Sequence, residues 1–464
     1  MKHNKIIIAV NFIFIMTLFS CEKFLDIKTE SRQVFAETAA DCQLILDNYS
    51  LMNTGYPSDG ESSSGDSYLN DAAYLSVFVS AEDRSIYTWN SNAVRDLADL
   101  QWKPCYYIIY NANFILETID RKLKGVTDQN VIDGLRGSAL FYRAYCLWQL
   151  AQLYAKPYSS ITSSQDLGVP IRLSSDINEI SNRGNVQQTY DRILQDLKEA
   201  SNLLPSASTI ASRPSKVACY AMLARVYLSM EDYNNAQINA SAALSIKNDL
   251  LDYNSLNKTS STPFTPRFNK EIIFQSVTRQ SQMLAAGVGS FAKIDPMLVS
   301  SYEANDLRRI IFFKTISGTP ASYLFSGNYE PTINGTLFNG LAVDELYLIR
   351  AECYARSGNV TSALSDLNTL LRTRWLSGSY IELSTTITAD ETLIKVLTER
   401  RKELLMRGQR WTDLRRLNKD TRFAITLTRS VQGRNYTLPP NDLRYTLLIP
   451  NEVIRNASLP QNPR

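Results

Sequence analysis

Cys21 is the residue whose surroundings in the sequence most clearly define a chemical role. Two lysines, Lys2 and Lys5, precede an apolar run at residues 6–19 that only two polar residues interrupt. The small Ser20 comes directly before the cysteine. A charged head, a short apolar run and a small residue at the end are typical of a secretory signal peptide. The sequence therefore predicts a signal peptide that ends at Ser20 and a mature chain that begins at Cys21.

The tetrapeptide LFSC at 18–21 resembles the cleavage box of bacterial lipoproteins. This resemblance implies that the thiol of Cys21 is acylated and that the protein is held at a membrane surface outside the cytoplasm. Each buried methylene of an acyl chain contributes about 0.8 kcal/mol, so a multiply acylated cysteine keeps a protein on the bilayer. The apolar run is shorter than the roughly 20 residues of a membrane-spanning helix. The alternative is an uncleaved N-terminal anchor in which the cysteine is incidental.

Histidine chemistry is excluded from the mature chain, because His3 is the only histidine and lies in the predicted signal. Without it there is no Ser-His-Asp or Cys-His catalysis and no His-ligated zinc. Paired carboxylates could still act in glycoside hydrolysis. However, Asp and Glu are spread along the predicted helices and no pair stands out. We therefore expect a protein that is not an enzyme and that uses neither a metal ion nor a cofactor.

Cysteine spacing and net charge argue against two further kinds of site. Five cysteines follow Cys21 without any C-x-x-C spacing, so a metal or redox site is not indicated. Cys146, Cys219 and Cys353 lie in apolar helical stretches, which favours free, buried thiols over disulfides. Residues 1–20 hold two of the 49 basic residues and none of the 46 acidic ones, so their removal lowers the formal net charge from +3 to +1. A near-neutral chain lacks the long-range field that attracts nucleic acid.

Helical repeats are the elements expected to position a binding site. Two segments show the spacing of aromatic, alanine and leucine residues that is typical of tetratricopeptide helical hairpins. Helical periodicity is also present elsewhere. The predicted helices lie in 93–124, 130–155 and 189–204, and the predicted hairpins in 220–244 and 347–370. We therefore predict a mainly α fold, with a tetratricopeptide-like scaffold at about 35–250 and 340–420.

Two insertions interrupt this predicted scaffold, at about 50–92 and 253–340. They are rich in polar, glycine and aromatic residues, and the second contains a short β-like run at 271–277. The stretch 55–67, GYPSDGESSSGDS, predicts a turn-rich loop. Long loops in a compact domain are usually functional. The insertions, with short strands, are therefore the predicted ligand-binding parts.

A longer motif lies near the C-terminus, where residues 398–417 read TERRKELLMRGQRWTDLRRL. It resembles the signature helix pair of the SusD/RagB family, the outer-membrane nutrient-binding lipoproteins of Bacteroidetes. Four further segments agree with that family in the same order: FLD at 24–26, LYLIRAECYARSGNVTSALSDLN at 346–368, LIP at 448–450 and LPQNP at 459–463. The resemblance covers essentially the whole mature chain and implies a single SusD-like domain at 21–464.

The residue types of this signature favour a structural role. Glu403 and Arg407 are four residues apart and could pair on one helix. Arg410 and Asp413 could form a buried pair that fixes the corner between the two helices. The alternative is a basic patch for phosphate or nucleic acid, which the interspersed acids and an extracellular address make a poor fit. The basic residues concerned are Arg400, Arg401, Lys402, Arg407, Arg410, Arg415 and Arg416.

The family resemblance implies a lipid-anchored protein that faces the cell exterior, binds a glycan such as starch and sits over a SusC-type TonB-dependent transporter. A sugar ring has an apolar C–H face and a rim of hydroxyls, so its binding needs aromatic rings with polar neighbours on well-supported loops. The predicted ligand-binding residues are Tyr68, Tyr74, Trp89, Asn90 and Asn92 in the first insertion, and Tyr323, Phe325, Asn328 and Tyr329 in the second.

Two alternative functions stay open, and so does the role of Trp89. A peptide-binding protein, as the RagB branch implies, is the second function, and a carboxylate-based glycoside hydrolase is a less favoured third. For Trp89, core packing and ligand binding are equal alternatives. Trp102, Trp148 and Trp411 lie on predicted helical faces and are expected in the core, whereas Trp375 precedes a glycine-containing loop and could be exposed.

Overall fold

Helices that pack in series dominate the computed structural model, which describes residues 36–281, 283–284, 291–318, 322–332 and 335–464. Residues 38–464 form one compact unit. The predicted mainly α fold with short strands is confirmed. Cys21 and the FLD segment lie outside the described residues, so the predicted lipidation remains a prediction.

The helices are numbered in chain order over the described residues. The first nine are α1 (Ala39–Leu46), α2 (Tyr49–Met52), α3 (Asp59–Ser63), α4 (Asp71–Tyr74), α5 (Ala81–Tyr87), α6 (Lys103–Asp120), α7 (Gln129–Tyr154), α8 (Val186–Leu203) and α9 (Lys216–Ser229). The others are α10 (Tyr233–Ile246), α11 (Pro296–Ser300), α12 (Arg308–Ile311), α13 (Val343–Arg356), α14 (Val360–Arg372), α15 (Ala389–Glu403), α16 (Arg410–Leu417) and α17 (Asn451–Ala457).

The strands are short and pair only in twos among the described residues. They are β1 (Ser67–Tyr68), β2 (Leu167–Pro170), β3 (Arg183–Asn185), β4 (Ile272–Phe274), β5 (Lys293–Ile294), β6 (Phe313–Ile316), β7 (Ser322–Phe325), β8 (Leu341–Ala342), β9 (Leu427–Val431) and β10 (Arg434–Leu438). The antiparallel pairs are β1 with β5, β2 with β3, β4 with β8, β6 with β7 and β9 with β10. Pairs this small need the helices behind them for stability.

The scaffold is a continuous series of helices, although an insertion interrupts it in the sequence. Helices α6 to α10 each pack against the next, α10 then packs against α13, and α13 contacts both α14 and α15. The repeat pattern predicts burial of Ala224, Tyr227, Ala351 and Tyr354; the first three are buried, whereas Tyr354 is only partly buried. Gly358 has φ +79° in the turn between α13 and α14, a conformation that glycine adopts at little cost. The two predicted hairpins therefore stack directly on each other.

The polar stretch 55–67 is a buried part of the fold and not only the turn-rich loop that its composition predicts. It contains the short helix α3, and most of its residues are buried. Its carboxylates meet donors from distant segments: Asp59 pairs with Arg95 at 2.6 Å, Asp66 pairs with Arg401 at 2.7 Å, and the backbone N–H of Gly408 donates to Glu61 at 2.9 Å. Buried polar groups are tolerated when they are paired in this way. The stretch therefore belongs to the core.

Glu403 and Arg407 do not pair with each other, contrary to the sequence prediction. Helix α15 ends at Glu403, so the two residues are not on one continuous helix and the four-residue spacing loses its meaning. The carboxylate of Glu403 instead forms ion pairs with Arg374 at 2.7 Å and with Arg308 at 2.9 Å. Arg407 pairs with Asp344 at 3.1 Å. The signature thus joins the C-terminal helices to the insertion and to α13.

The predicted pair between Arg410 and Asp413 is also wrong. Asp413 accepts from Arg400 at 2.9 Å and from Arg416 at 2.8 Å, whereas Arg410 lies 3.7 Å from Asp66. The basic side chains of the signature are mostly buried. The signature therefore presents no basic surface of the kind that nucleic acid requires. Trp411 is buried beside Tyr445, as expected of a core residue.

The five cysteines that follow Cys21 are free and buried, as the sequence indicates. Trp102 and Trp148 are buried as well, and Trp375 is partly buried. The described residues include no helix that is long and apolar enough to cross a membrane.

Candidate functional site

The two insertions meet on one hydrophobic cluster, which places several of the predicted ligand residues in one region. Leu69 and Val79 of the first insertion and Ile294 and Phe325 of the second are buried in this same cluster. Strand β1 pairs with β5, with Tyr68 opposite Lys293, and β5 packs against β7. Segments more than 200 residues apart in the chain therefore build a common face.

Several aromatic side chains of the two insertions reach solvent in this region. We define the aromatic surface by five of them: Tyr68, Tyr74, Phe78, Phe291 and Tyr323. Phe78 is 70% exposed, and its ring stacks on Phe291 with centroids 6.3 Å apart and planes 24° apart. Tyr74 and Tyr323 are partly buried against the shared cluster, and Tyr68 is partly buried on β1. Rings that keep one side open to solvent can stack on an apolar ligand face. The aromatic surface is therefore the candidate functional site.

The loop that carries Tyr74 and Phe78 is held in place by Arg84. Its guanidinium donates to the backbone oxygens of Tyr74 at 3.2 Å and Val79 at 2.6 Å, and it lies 5.9 Å from the centre of the Tyr74 ring. Helix α5 supplies Arg84 and is capped by Ser80, whose hydroxyl accepts from the N–H of Asp83. A charged side chain thus adds to the internal hydrogen bonds that hold this segment, such as the one from the N–H of Val79 to the oxygen of Ser76.

Burial raises the pKa of the hydroxyls of Tyr68 and Tyr74, so both remain protonated at neutral pH. Burial lowers the pKa of Lys293, which lies opposite Tyr68 on β5. Protonated phenols can both donate and accept hydrogen bonds, which suits the hydroxyl rim of a sugar.

Trp89 does not belong to this surface, although the sequence left ligand binding and core packing as equal alternatives. Only 3% of the residue is exposed. Its indole N–H donates to the backbone oxygen of Ser63 at 3.1 Å, and the guanidinium of Arg429 lies 4.5 Å from its ring. Arg429 also lies 3.8 Å from the ring of Tyr87. Trp89 is therefore a core residue that joins the first insertion to β9.

Three predicted ligand residues of the second insertion are also buried. Asn328 uses its amide to hold its own loop, donating to the oxygen of Thr336 at 2.8 Å and accepting from the N–H of Phe338 at 2.9 Å. The hydroxyl of Tyr329 donates to Glu271 at 2.5 Å. Phe325 packs on other aromatic rings of the shared cluster. All three are buried in this structure, which favours a structural role for them, and their role in ligand binding stays an untested prediction.

Asn90 and Asn92 are exposed, but they lie in a turn that the C-terminal residues hold. The side chain of Asn90 accepts from the N–H of Asn92 at 2.9 Å. The backbone oxygen of Ser91 accepts a hydrogen bond from Arg464, and the backbone oxygen of Trp89 accepts one from Arg444. Their role in ligand binding stays a prediction, as does that of Tyr68, Tyr74 and Tyr323.

Phe78 and Phe291 were missed by the sequence interpretation. A weak signal was present, because Leu75, Val77 and Phe78 form an apolar run between polar residues, and the structure exposes all three. An exposed apolar group of this kind often marks an interaction site. No group of three or more His, Cys, Asp or Glu in the described part of the chain is placed to hold a metal ion.

The fold that carries this site is that of the SusD superfamily. A SusD superfamily protein from Bacteroides vulgatus superposes with a TM-score of 0.75 at 22% identity, over 92% of this chain and 99% of that one. A SusD-like carbohydrate binding protein from the same organism gives a TM-score of 0.69 at 19% identity, over 91% and 97% of the two chains.

Two family models place the sequence in the same group. One, described as "Starch-binding associating with outer membrane", matches residues 23–228, and the other, described as "SusD family", matches residues 344–463. The SusD-like proteins P2 and P38 of Formosa agariphila are 26% and 24% identical. The alignments cover 78% of this chain and 79% of P2, and 89% of this chain and 92% of P38. The chain belongs to the SusD/RagB family.

Proposed function

We propose that this protein is a non-catalytic surface lipoprotein that binds an oligosaccharide on its aromatic surface and delivers it to a SusC-like TonB-dependent transporter. The single observation that carries the proposal is the meeting of the two insertions, which exposes aromatic rings on a rigid support. The starch-binding, outer-membrane description of the matching family model supports it. The anchor in this proposal is acylated Cys21, and the protein faces the cell exterior.

The aromatic surface suits binding without chemistry. Aromatic rings contribute by packing on the C–H face of a sugar, and the tyrosine hydroxyls contribute hydrogen bonds. A few such contacts correspond to a dissociation constant between micromolar and millimolar, or about −8 to −4 kcal/mol. Weak binding of this kind also permits release to a transporter.

A peptide is the second candidate ligand, and one observation favours it. Leu75 and Val77 are exposed next to Phe78, and aliphatic side chains contact apolar peptide side chains better than sugars. A glycoside hydrolase has less support, because prominent buried carboxylates such as Glu403, Asp413 and Asp344 are engaged by arginines.

Replacement of Phe78 by Ala should weaken ligand binding by about tenfold, as expected when one stacking ring is lost. The exposed position of the ring means that the free energy of unfolding should change by less than about 0.5 kcal/mol. The ligand would first be found on an array of oligosaccharides and short peptides, and its affinity then measured by calorimetry.

The matched control is Tyr107→Ala, which removes a ring that is also exposed and stacked, on Tyr110, but outside the aromatic surface. It should leave affinity unchanged. Equal affinity of wild type and Phe78→Ala would contradict the proposed site, whereas a hit confined to peptides would replace the sugar by a peptide. Shortened oligosaccharides after incubation would contradict the non-catalytic role.

Replacement of Cys21 by Ser should abolish membrane attachment, because the thiol is the proposed acceptor of the acyl chains. Fractionation of cells and mass spectrometry of the N-terminal peptide would measure this. Ser20→Ala is the control, since it keeps a small residue before the cysteine and should leave processing intact. A Cys21→Ser protein that is still processed and retained in the outer membrane would contradict the lipoprotein assignment.

A further inference from the structure

Arg415 differs from the other basic residues of the C-terminal signature in its partners. The other six each have a carboxylate within 4 Å, but Arg415 has none among the described residues. It is 3% exposed and donates to the backbone oxygens of Ala151, Gln152 and Ala155 at the end of α7. Burial lowers the pKa of its guanidinium to about 10, which leaves it charged at neutral pH.

Arg415 lines a cavity of about 180 Å³ between the end of α7, helix α16 and the turn at 441–446. Two other lining residues, Asn418 and Tyr445, are each only 2% exposed. The Nε of Arg415, the Nδ2 of Asn418 and the Oη of Tyr445 make no hydrogen bond of good geometry with the described residues, although the Asn418 amide lies near the Tyr445 hydroxyl and partly offsets the rise in pKa that burial causes there. Buried polar atoms without a partner are rare in proteins, so three on one cavity call for an explanation.

The other charges around the cavity compensate one another. Lys156 pairs with Asp166 at 2.6 Å, and Lys419 pairs with Glu231 at 2.5 Å. Asp442 is held by Arg444 at 2.7 Å. Arg415 differs from them, because its guanidinium contacts backbone oxygens and no carboxylate among the described residues. The cavity therefore combines one uncompensated positive charge with hydrogen-bond donors.

We propose that this cavity binds a small oxyanion, with Arg415 as its charge partner and the Asn418 amide and Tyr445 hydroxyl as further donors. A carboxylate, sulfate or phosphate group supplies both the negative charge and the acceptor oxygens that these groups lack. The volume exceeds that of one water molecule several times over, so such a group fits. The site is separate from the aromatic surface, and the inference does not rest on the proposed function.

Tyr445→Phe tests the site without disturbing the fold. The hydroxyl makes no hydrogen bond of good geometry in the protein, so its loss should leave the melting temperature of the ligand-free protein almost unchanged, while the ring keeps its contact with Trp411. Calorimetric titration of the full chain with sulfate and with phosphate should show saturable binding in the wild type. In Tyr445→Phe we expect binding to be about tenfold weaker, the loss of one hydrogen bond to a charged group.

Tyr154→Phe is the matched control, because its hydroxyl is also buried without a partner but does not line the cavity. It should bind sulfate as the wild type does. Sulfate stabilises many proteins without a specific site, but that effect would be equal in all three proteins. Arg415→Gln should abolish binding if it folds. Absence of saturable binding in the wild type, or equal binding by Tyr445→Phe, would overturn the proposal and leave the cavity to water.

A second titration, with glucuronate at the same ionic strength as the sulfate titration, distinguishes an acidic sugar from a free inorganic anion as the natural ligand. Tighter binding of glucuronate than of sulfate would assign the site to the carboxylate of an acidic sugar. The reverse order would assign it to a free inorganic anion. Both results support an oxyanion site, and neither depends on ligand binding at Phe78.

Discussion

Replacement of Arg374 by Met should lower the free energy of unfolding by about 3–5 kcal/mol, the usual cost of removing one partner of a buried ion pair. Arg374 is fully buried and lies between two carboxylates, Glu271 at 2.8 Å and Glu403 at 2.7 Å. Met fills most of the volume but leaves Glu271 without its charge partner, while Glu403 keeps only Arg308, at 2.9 Å. Denaturant unfolding of the purified variant would measure the loss.

The pH dependence of this loss separates charge from packing. Burial raises the pKa of Glu271 to about 7 even with Arg374 present. Without the guanidinium, that pKa should rise further, so protonation should relieve part of the destabilisation. The loss should therefore be smaller near pH 5 than near pH 8. A loss that does not change with pH would indicate that packing, and not an uncompensated charge, is responsible.

Arg372→Met is the matched control, two residues away on the same chain segment. Arg372 pairs with Glu382 at the surface, where both side chains are more than half exposed. Surface pairs contribute about 0–1 kcal/mol, so this variant should unfold almost as the wild type does. Equal losses for Arg372→Met and Arg374→Met would contradict the assignment of Arg374 to the buried network.

Replacement of Glu61 by Gln should stabilise the protein at alkaline pH. Burial, with a smaller contribution from the nearby Asp66, raises the pKa of Glu61 from an ordinary value of 4.5 to about 8. The folded state therefore keeps this proton to a higher pH than the unfolded state does. The contribution of Glu61 to stability is complete below about pH 4.5 and is lost as the pH rises through about 8.

Glutamine stays neutral and keeps an oxygen for the N–H of Gly408, which donates to Glu61 at 2.9 Å. The difference in unfolding free energy between Glu61→Gln and wild type should thus grow by about 1.4 kcal/mol per pH unit between pH ~5 and pH ~8. Denaturant unfolding across this range would measure it. A difference that stays constant with pH would contradict the raised pKa.

Glu352→Gln provides a control of the opposite sign. Burial alone would raise the pKa of Glu352, but Arg416, at 2.6 Å, lowers it below the usual value. Its charged form therefore stabilises the fold at neutral pH, and its neutral replacement should destabilise by about 3–5 kcal/mol. Glu61 and Glu352 both contact the C-terminal signature, and the same substitution should change the free energy of unfolding in opposite directions at the two positions.

These charge networks show why the sequence interpretation of the signature motif was partly wrong. A four-residue spacing suggests a pair only while the helix continues, and α15 ends at Glu403. Arg374 and Glu271 are 103 residues apart, and Arg401 and Asp66 are 335 apart. No local pattern encodes such a pair, because either partner could have been an ordinary solvated charge.

Short-range patterns in the sequence were enough to identify the helical hairpins and the family. Helical periodicity repeats within a few residues, so it located the hairpins now described as α9–α10 and α13–α14 and predicted the burial of Ala224 and Ala351. The C-terminal motif and the short segments around it were sufficient to identify the SusD/RagB family, which the family models confirm.

Which aromatic and polar residues face solvent depends on contacts between distant segments and could not be predicted from local patterns. An aromatic ring satisfies a hydrophobic core and a sugar-binding surface equally well, so composition cannot separate Trp89 from Phe78. Trp89 is buried because Ser63 and Arg429 come to it from distant segments, whereas Phe78 stays exposed on a short loop. The carboxylates of 55–67 are buried for the same reason: their charge partners lie elsewhere in the chain and meet them only when it folds.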